Sequence, residues 1–107
     1  MISIMKDNRF GAIATHPGEV LKDEIQYRKI SQRKLAGEIG MSYTVLNEIL
    51  NAKRPVNTAT AYLLEAALDV PADMLLNLQM RYDMQKAQSD KSFMARIAAI
   101  RKVAAVL

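Results

Sequence analysis

Apolar residues recur at spacings of three and four through most of this chain. Where the spacing breaks, the residues are those that start and stop helices. In residues 1–14 only Ile2, Ile4 and Ile13 hint at alternation, so an N-terminal arm or short strand is expected there. Pro17 then opens a first helix, because proline has no N–H to leave unpaired at the first helical position. Glu19 falls in the first turn, where its charge meets the helix dipole, and Val20, Leu21 and Ile25 follow in period. Ser31 is an N-cap before Leu35, Ala36 and Ile39, and Gly40 stops that second helix. Ser42 caps a third, with Val45, Leu46, Ile49 and Leu50 inward. Asn57 or Thr58 opens a fourth, carrying Ala59, Leu63, Leu64, Ala67 and Leu68. Pro71 starts a fifth that runs to about Gln88, and residues 92–106 form a sixth. The pattern predicts an all-α protein of five or six helices with short joints. Its expected divisions are an arm over 1–14, a helical domain over 15–88 and a C-terminal helix over 89–107.

Residues 31–50 meet a stricter set of demands. Leu35, Ile39, Met41, Leu46 and Ile49 are apolar, Ala36 is small, and Gly40 permits a positive φ. Two short helices crossing steeply through a tight turn need this arrangement. A small residue lets the second helix pass close, a glycine turns the chain, and apolar anchors tie both helices to one core. The set predicts a helix-turn-helix, with an ordinary αα-hairpin as the rival reading.

In a helix-turn-helix the second helix can enter the major groove with its first residues at base edges. Here the outward residues are Tyr43, Thr44, Asn47, Glu48 and Asn51, with Ser42 at the cap. They are hydrogen-bonding types, where a merely solvated face would favour Lys and Glu. Asn pairs with adenine, Thr touches a thymine methyl and Glu accepts from cytosine. Tyr43, Thr44, Asn47 and Glu48 are therefore expected to read bases. Ser31 and Gln32 open the preceding helix, where N–H groups and side chains can grip a phosphate. Lys53 and Arg54 follow the third helix and are expected to hold the other side of the groove.

Composition narrows the alternatives. The chain has no Cys and one His, which excludes disulfides, thiolate catalysis and Cys-based metal sites. No metal, cofactor or catalytic set is expected, and His16 beside Pro17 is expected to cap the first helix. The longest apolar runs fall far short of the roughly 20 residues of a membrane helix, and residues 1–14 do not read as a secretory signal. A cytoplasmic protein without a membrane partner is expected. The net charge of +4 is too small to name a partner, but it is unevenly placed. Residues 31–60 carry +2, residues 61–90 carry −3 and residues 91–107 carry +4, so the middle and the tail are basic.

The run SQRKLAGEIGMSYTVLNEILNAKRPVNTATAYLLEAALDV resembles the phage-repressor (Xre/Cro) helix-turn-helix family. Together with THPGEVLKDEI before it and PADMLLNLQMRYD after it, the chain resembles a HigA-type antitoxin of a toxin–antitoxin module. The His-Pro-Gly-Glu start and the Asn-Leu-Gln-x-x-Tyr-Asp ending, Asn77 to Asp83, are more specific than the helix-turn-helix alone. Met74 and Leu75 stand where this branch usually has an aromatic pair. The resemblance implies a repressor-like domain that binds double-stranded operator DNA, represses its own operon and neutralises a HigB-like ribonuclease toxin. A stand-alone repressor and a protein–protein adaptor that has lost DNA binding are the rival readings.

One helix-turn-helix covers little DNA, so a homodimer spanning two half-sites is expected. Phe93, Ile97, Ile100, Ala104 and Leu107 form an apolar stripe on the sixth helix. An isolated helix of this length does not hold its fold. The stripe is expected to pack on a second copy, jointly with Leu75, Leu78 and Tyr82 of the fifth helix. Packing in cis on the fifth helix is the alternative.

Overall fold

The computed structural model describes residues 14–107; apart from Ala14, the expected N-terminal arm lies outside the described residues. Six helices follow: α1 (Pro17–Tyr27), α2 (Gln32–Ile39), α3 (Tyr43–Leu50), α4 (Thr58–Leu68), α5 (Ala72–Gln88) and α6 (Lys91–Ala104). Among the described residues there is no strand, so the all-α expectation holds.

The starts follow from local chemistry. The Ser31 hydroxyl accepts from Lys34 N at 3.1 Å, Ser42 from Val45 N at 3.1 Å and Asn57 from Thr60 N at 2.9 Å. Each side chain satisfies one backbone donor that the first turn leaves open. His16 does the same for α1: its Nδ1 accepts from Gly18 N at 2.9 Å, while Glu19 reaches back to His16 N at 3.2 Å. Two starts differ from expectation. Pro71 precedes α5 without a side-chain cap, and Glu65 of α4 accepts instead from Ala72 N at 3.0 Å. The sixth helix starts at Lys91, because Asp90 accepts from Phe93 N at 3.0 Å and caps it.

The helix ends share a device that only one glycine announces. Gly40 ends α2 at φ 71°. Lys29, Ala52 and Asp69 adopt the same left-handed conformation after α1, α3 and α4. After α3 the bonds Ala52 N to Ile49 O and Lys53 N to Glu48 O close a Schellman motif. The turn leading away from the third helix is therefore well defined, although alanine occupies the position that favours glycine.

The core draws on every helix except α6: Leu21, Ile25, Leu35, Ala36, Leu46, Ile49, Leu50, Ala61, Leu64, Leu68 and Leu75, joined by Val56 and Val70. Each large side chain removed from water contributes about 1.5–3 kcal/mol. In this core α1 packs on α3 and α5, α2 on α3 and α4, and α4 on α5. Of the apolar residues that the pattern places on α4, Leu64 and Leu68 are buried, whereas Ala59, Leu63 and Ala67 are exposed. That helix is apolar on most sides, so its period could not select the buried face.

Leu75 requires a correction. It was expected at a dimer contact, yet it is 0% exposed within a single chain and belongs to the chain's own core. Its neighbour Met74 stays at the surface, so the position pair that departs from the family pattern is split between inside and outside. The sixth helix packs on α5 but has no buried residue.

Candidate nucleic-acid interface

The third helix is held from behind at three points. Leu46, Ile49 and Leu50 are buried in the core. Gly18 of α1 meets the C-terminal turn so closely that a Cβ there would lie 1.9 Å from Ile49 O. Lys22 Nζ of α1 donates to Asn51 Oδ1 at 3.1 Å. Its front carries the polar residues, and Tyr43 and Thr44 are exposed in the first turn.

The remaining expected contacts sort themselves by the bonds already made. Asn47 Nδ2 donates to Gln32 Oε1 at 3.1 Å, which links the two helices of the motif through their polar edge. The side-chain Oδ1 of Asn47 and the Nε2 of Gln32 stay available. Glu48 Oε1 accepts from Arg54 Nε at 2.9 Å and Nη2 at 2.7 Å. That pair is exposed, so holding it together is worth only about 0–1 kcal/mol. Lys53 is exposed in the turn. Ser31 and Ser42 spend an acceptor on capping and keep a hydroxyl proton to donate.

Asn51 is different. Its Oδ1 accepts from Lys22 Nζ and its Nδ2 donates to Asn47 O at 2.9 Å. Both ends of the amide are engaged at the C-terminus of α3, and the side chain closes the helix. Asn51 was expected on the DNA-facing side of α3; in the structure its amide is used within the protein.

One residue was missed. The guanidinium of Arg33 lies 4.5 Å from the centre of the Tyr43 ring. A stacked cation of this kind is worth about 0.5–1 kcal/mol at an exposed site. It places a permanent positive charge beside the first residue of the recognition helix. The sequence signal was a base next to Gln32, but nothing local says that α2 brings it over residue 43.

His16 is packed inside the chain. It is 1% exposed and lies edge-on to Tyr82, with ring centroids 4.8 Å apart at 87°. Burial holds its pKa below the ordinary value, against the opposing pull of Glu19 and Asp83. Among the described residues no group of His, Asp and Glu is arranged to hold a metal ion, and no helix is long and apolar enough to cross a membrane.

Residues 21–75 match the helix-turn-helix family. The chain is 34% identical over 79 residues to the virulence-associated protein I of Dichelobacter nodosus, covering 73% of each. Among solved structures it is similar to an addiction module antidote protein of the HigA family from Coxiella burnetii. That match has 29% identity and a TM-score of 0.69, and covers 76% of this chain and 89% of that one. It is equally similar to the Pseudomonas aeruginosa antitoxin HigA, solved with the higBA promoter. Here the identity is 29% and the TM-score 0.70, with 77% of this chain and 90% of that one covered. The front of α3 and these likenesses agree: the chain belongs to the Xre/Cro-like helix-turn-helix family, as a HigA-type antitoxin and not an enzyme.

Proposed function

We propose that this protein binds its own operator through α3, represses the operon and neutralises a HigB-like ribonuclease toxin encoded beside it. The observation that carries the DNA reading is the braced polar edge of the motif. Asn47 is steadied by Gln32, Tyr43 is stacked under Arg33, and Thr44 stands between them in sequence and exposed. A side chain held in place before binding loses less entropy at the base edge. Gln32, Lys53 and Arg54, with the Ser31 and Ser42 hydroxyls, take phosphates on either side. Tyr43, Thr44 and Asn47 read bases, and Glu48 does so only after releasing Arg54.

The domain over 15–88 supplies the DNA contact and the helix over 89–107 supplies pairing. A second copy packs against Phe93, Ile97, Ile100 and Leu107, together with Leu78, whereas Tyr82, expected to join them, is turned to His16 within the chain. It places the second recognition helix one turn of DNA away, about 34 Å. Phe93, Ile100 and Leu107 of α6 stay exposed in one chain, with Ile97 half-buried between them, which supports this reading. The protein acts in the cytoplasm. The toxin reading rests on the relatedness to antitoxins.

Two measurements test the proposal. Fluorescence anisotropy with DNA from upstream of the gene should show binding that random DNA of equal length does not match. Co-expression with the neighbouring reading frame should yield a complex and relieve its toxicity. Operator binding without any toxic neighbour would leave a stand-alone repressor. Failure to bind DNA at low salt would leave a protein–protein adaptor.

A further inference from the structure

Behind the turn that follows α3 lies a cleft of about 240 Å³. Its chemically active walls are His16, Lys53, Arg54, Tyr82, Asp83 and Lys86. At its base is His16, almost wholly buried. The Nδ1 atom of His16 accepts from Gly18 N, so the ring proton sits on Nε2. No acceptor for that N–H exists among the described residues. A buried donor left without a partner in the protein requires an explanation, and a bound ligand is one.

The walls say which ligand. Lys53 and Arg54 stand on the turn after α3, and Lys86 stands on α5. Asp83 is the one carboxylate among these walls and already accepts from Gln79 Nε2 at 2.9 Å. Arg54 is already paired with Glu48, so Lys53, Lys86 and a neutral imidazole N–H face the single carboxylate of Asp83, and the walls keep an excess of positive charge. A cation is disfavoured by that balance, and an apolar ligand would strand the donors. A compact anion that only accepts, with oxygens pointing in several directions, satisfies all of them.

We propose that this cleft is a binding site for a phosphoryl anion, held by Lys53, Arg54, Lys86 and the Nε2–H of His16. The phosphoryl group comes either from the operator backbone or from a free phosphate. In the first case α5 joins the DNA contact through Lys86, which extends the proposed operator interface and rests on that reading. In the second, a small anion bound beside the turn adjusts how Arg54 is shared with Glu48, and the site stands whether or not the chain binds DNA.

The test uses the full chain, whose single histidine gives one unambiguous set of imidazole resonances. Inorganic phosphate is titrated at constant ionic strength in chloride buffer while the His16 Nε2 signal is followed, in the wild type and in Lys86→Gln. Lys86 is exposed, so this variant keeps its fold. A saturable shift that Lys86→Gln weakens at least several-fold supports the site. Duplex from the upstream region then identifies the source. If DNA moves the same resonance, displaces phosphate and loses about one unit of salt slope in Lys86→Gln, the ligand is a backbone phosphate. If the phosphate shift persists on DNA-saturated protein, or if the chain binds no DNA at all, the ligand is a free anion. The proposal is overturned if neither phosphate nor DNA moves the His16 signal in a Lys86-dependent way.

Discussion

Gly18 and Ile49 meet where no side chain fits: a Cβ on Gly18 would lie 1.9 Å from the Ile49 carbonyl oxygen. The first turn of α1 therefore sets how the recognition helix sits in the domain. Alanine normally favours a helix over glycine by about 1 kcal/mol. Here Gly18→Ala should instead destabilise by about 1–3 kcal/mol, because α1 must retreat from α3. Urea unfolding measures this, and a neutral or stabilising effect would show that the two helices are not so close.

Acid should loosen the same junction. Burial holds the pKa of His16 below the ordinary 6.5. Between the folded value and 6.5 the unfolded chain binds more protons than the folded one. The contribution of His16 is therefore fully present above 6.5 and is lost as pH falls through the folded value. His16→Asn keeps a capping oxygen and removes the titration. The wild type should lose more stability than this variant between pH 7.5 and pH 5, as read from urea midpoints. Parallel profiles would contradict a buried neutral histidine.

Asn47 and Gln32 should act on DNA as a unit. Asn47→Ala should cost about 1–3 kcal/mol at the operator and relax one base position. Because Gln32 braces Asn47, the double variant should lose less than the two single losses added. An equal loss on operator and random DNA would remove Asn47 from base reading.

Arg54 should position the protein without specifying sequence. Giving up Glu48 costs it little, since the pair is exposed. Arg54→Ala should weaken binding to all sequences and lower the salt slope by about one unit. A slope equal to that of the wild type would show that Arg54 stays with Glu48 on the DNA.

The apolar stripe of α6 should hold the dimer. Ile97→Glu with Ile100→Glu should halve the mass in solution, keep the helix content and drop operator affinity to that of one half-site. A folded variant that remains dimeric would place the interface elsewhere.

What the sequence by itself determined is local. The caps at Ser31, Ser42 and Asn57, the stop at Gly40 and the spacing of Leu35, Leu46 and Ile49 all act within a turn or two, and composition and period report them directly. The capping role of His16 was legible for the same reason, since its partners are Gly18 and Glu19. Tertiary structure decided whatever depends on residues far apart in the chain. The close approach of Gly18 to Ile49 leaves no local trace. Nor does the placing of Arg33 over Tyr43, or of Glu65 at the start of α5. The left-handed turns at Lys29, Ala52 and Asp69 were hidden because no glycine marks them; bonds across the helix ends hold them there. Leu75 lies on a helix whose apolar period shows that one face is covered. Whether that cover is the chain's own core or a second copy depends on where α4 lies, and α4 takes Leu75 inside.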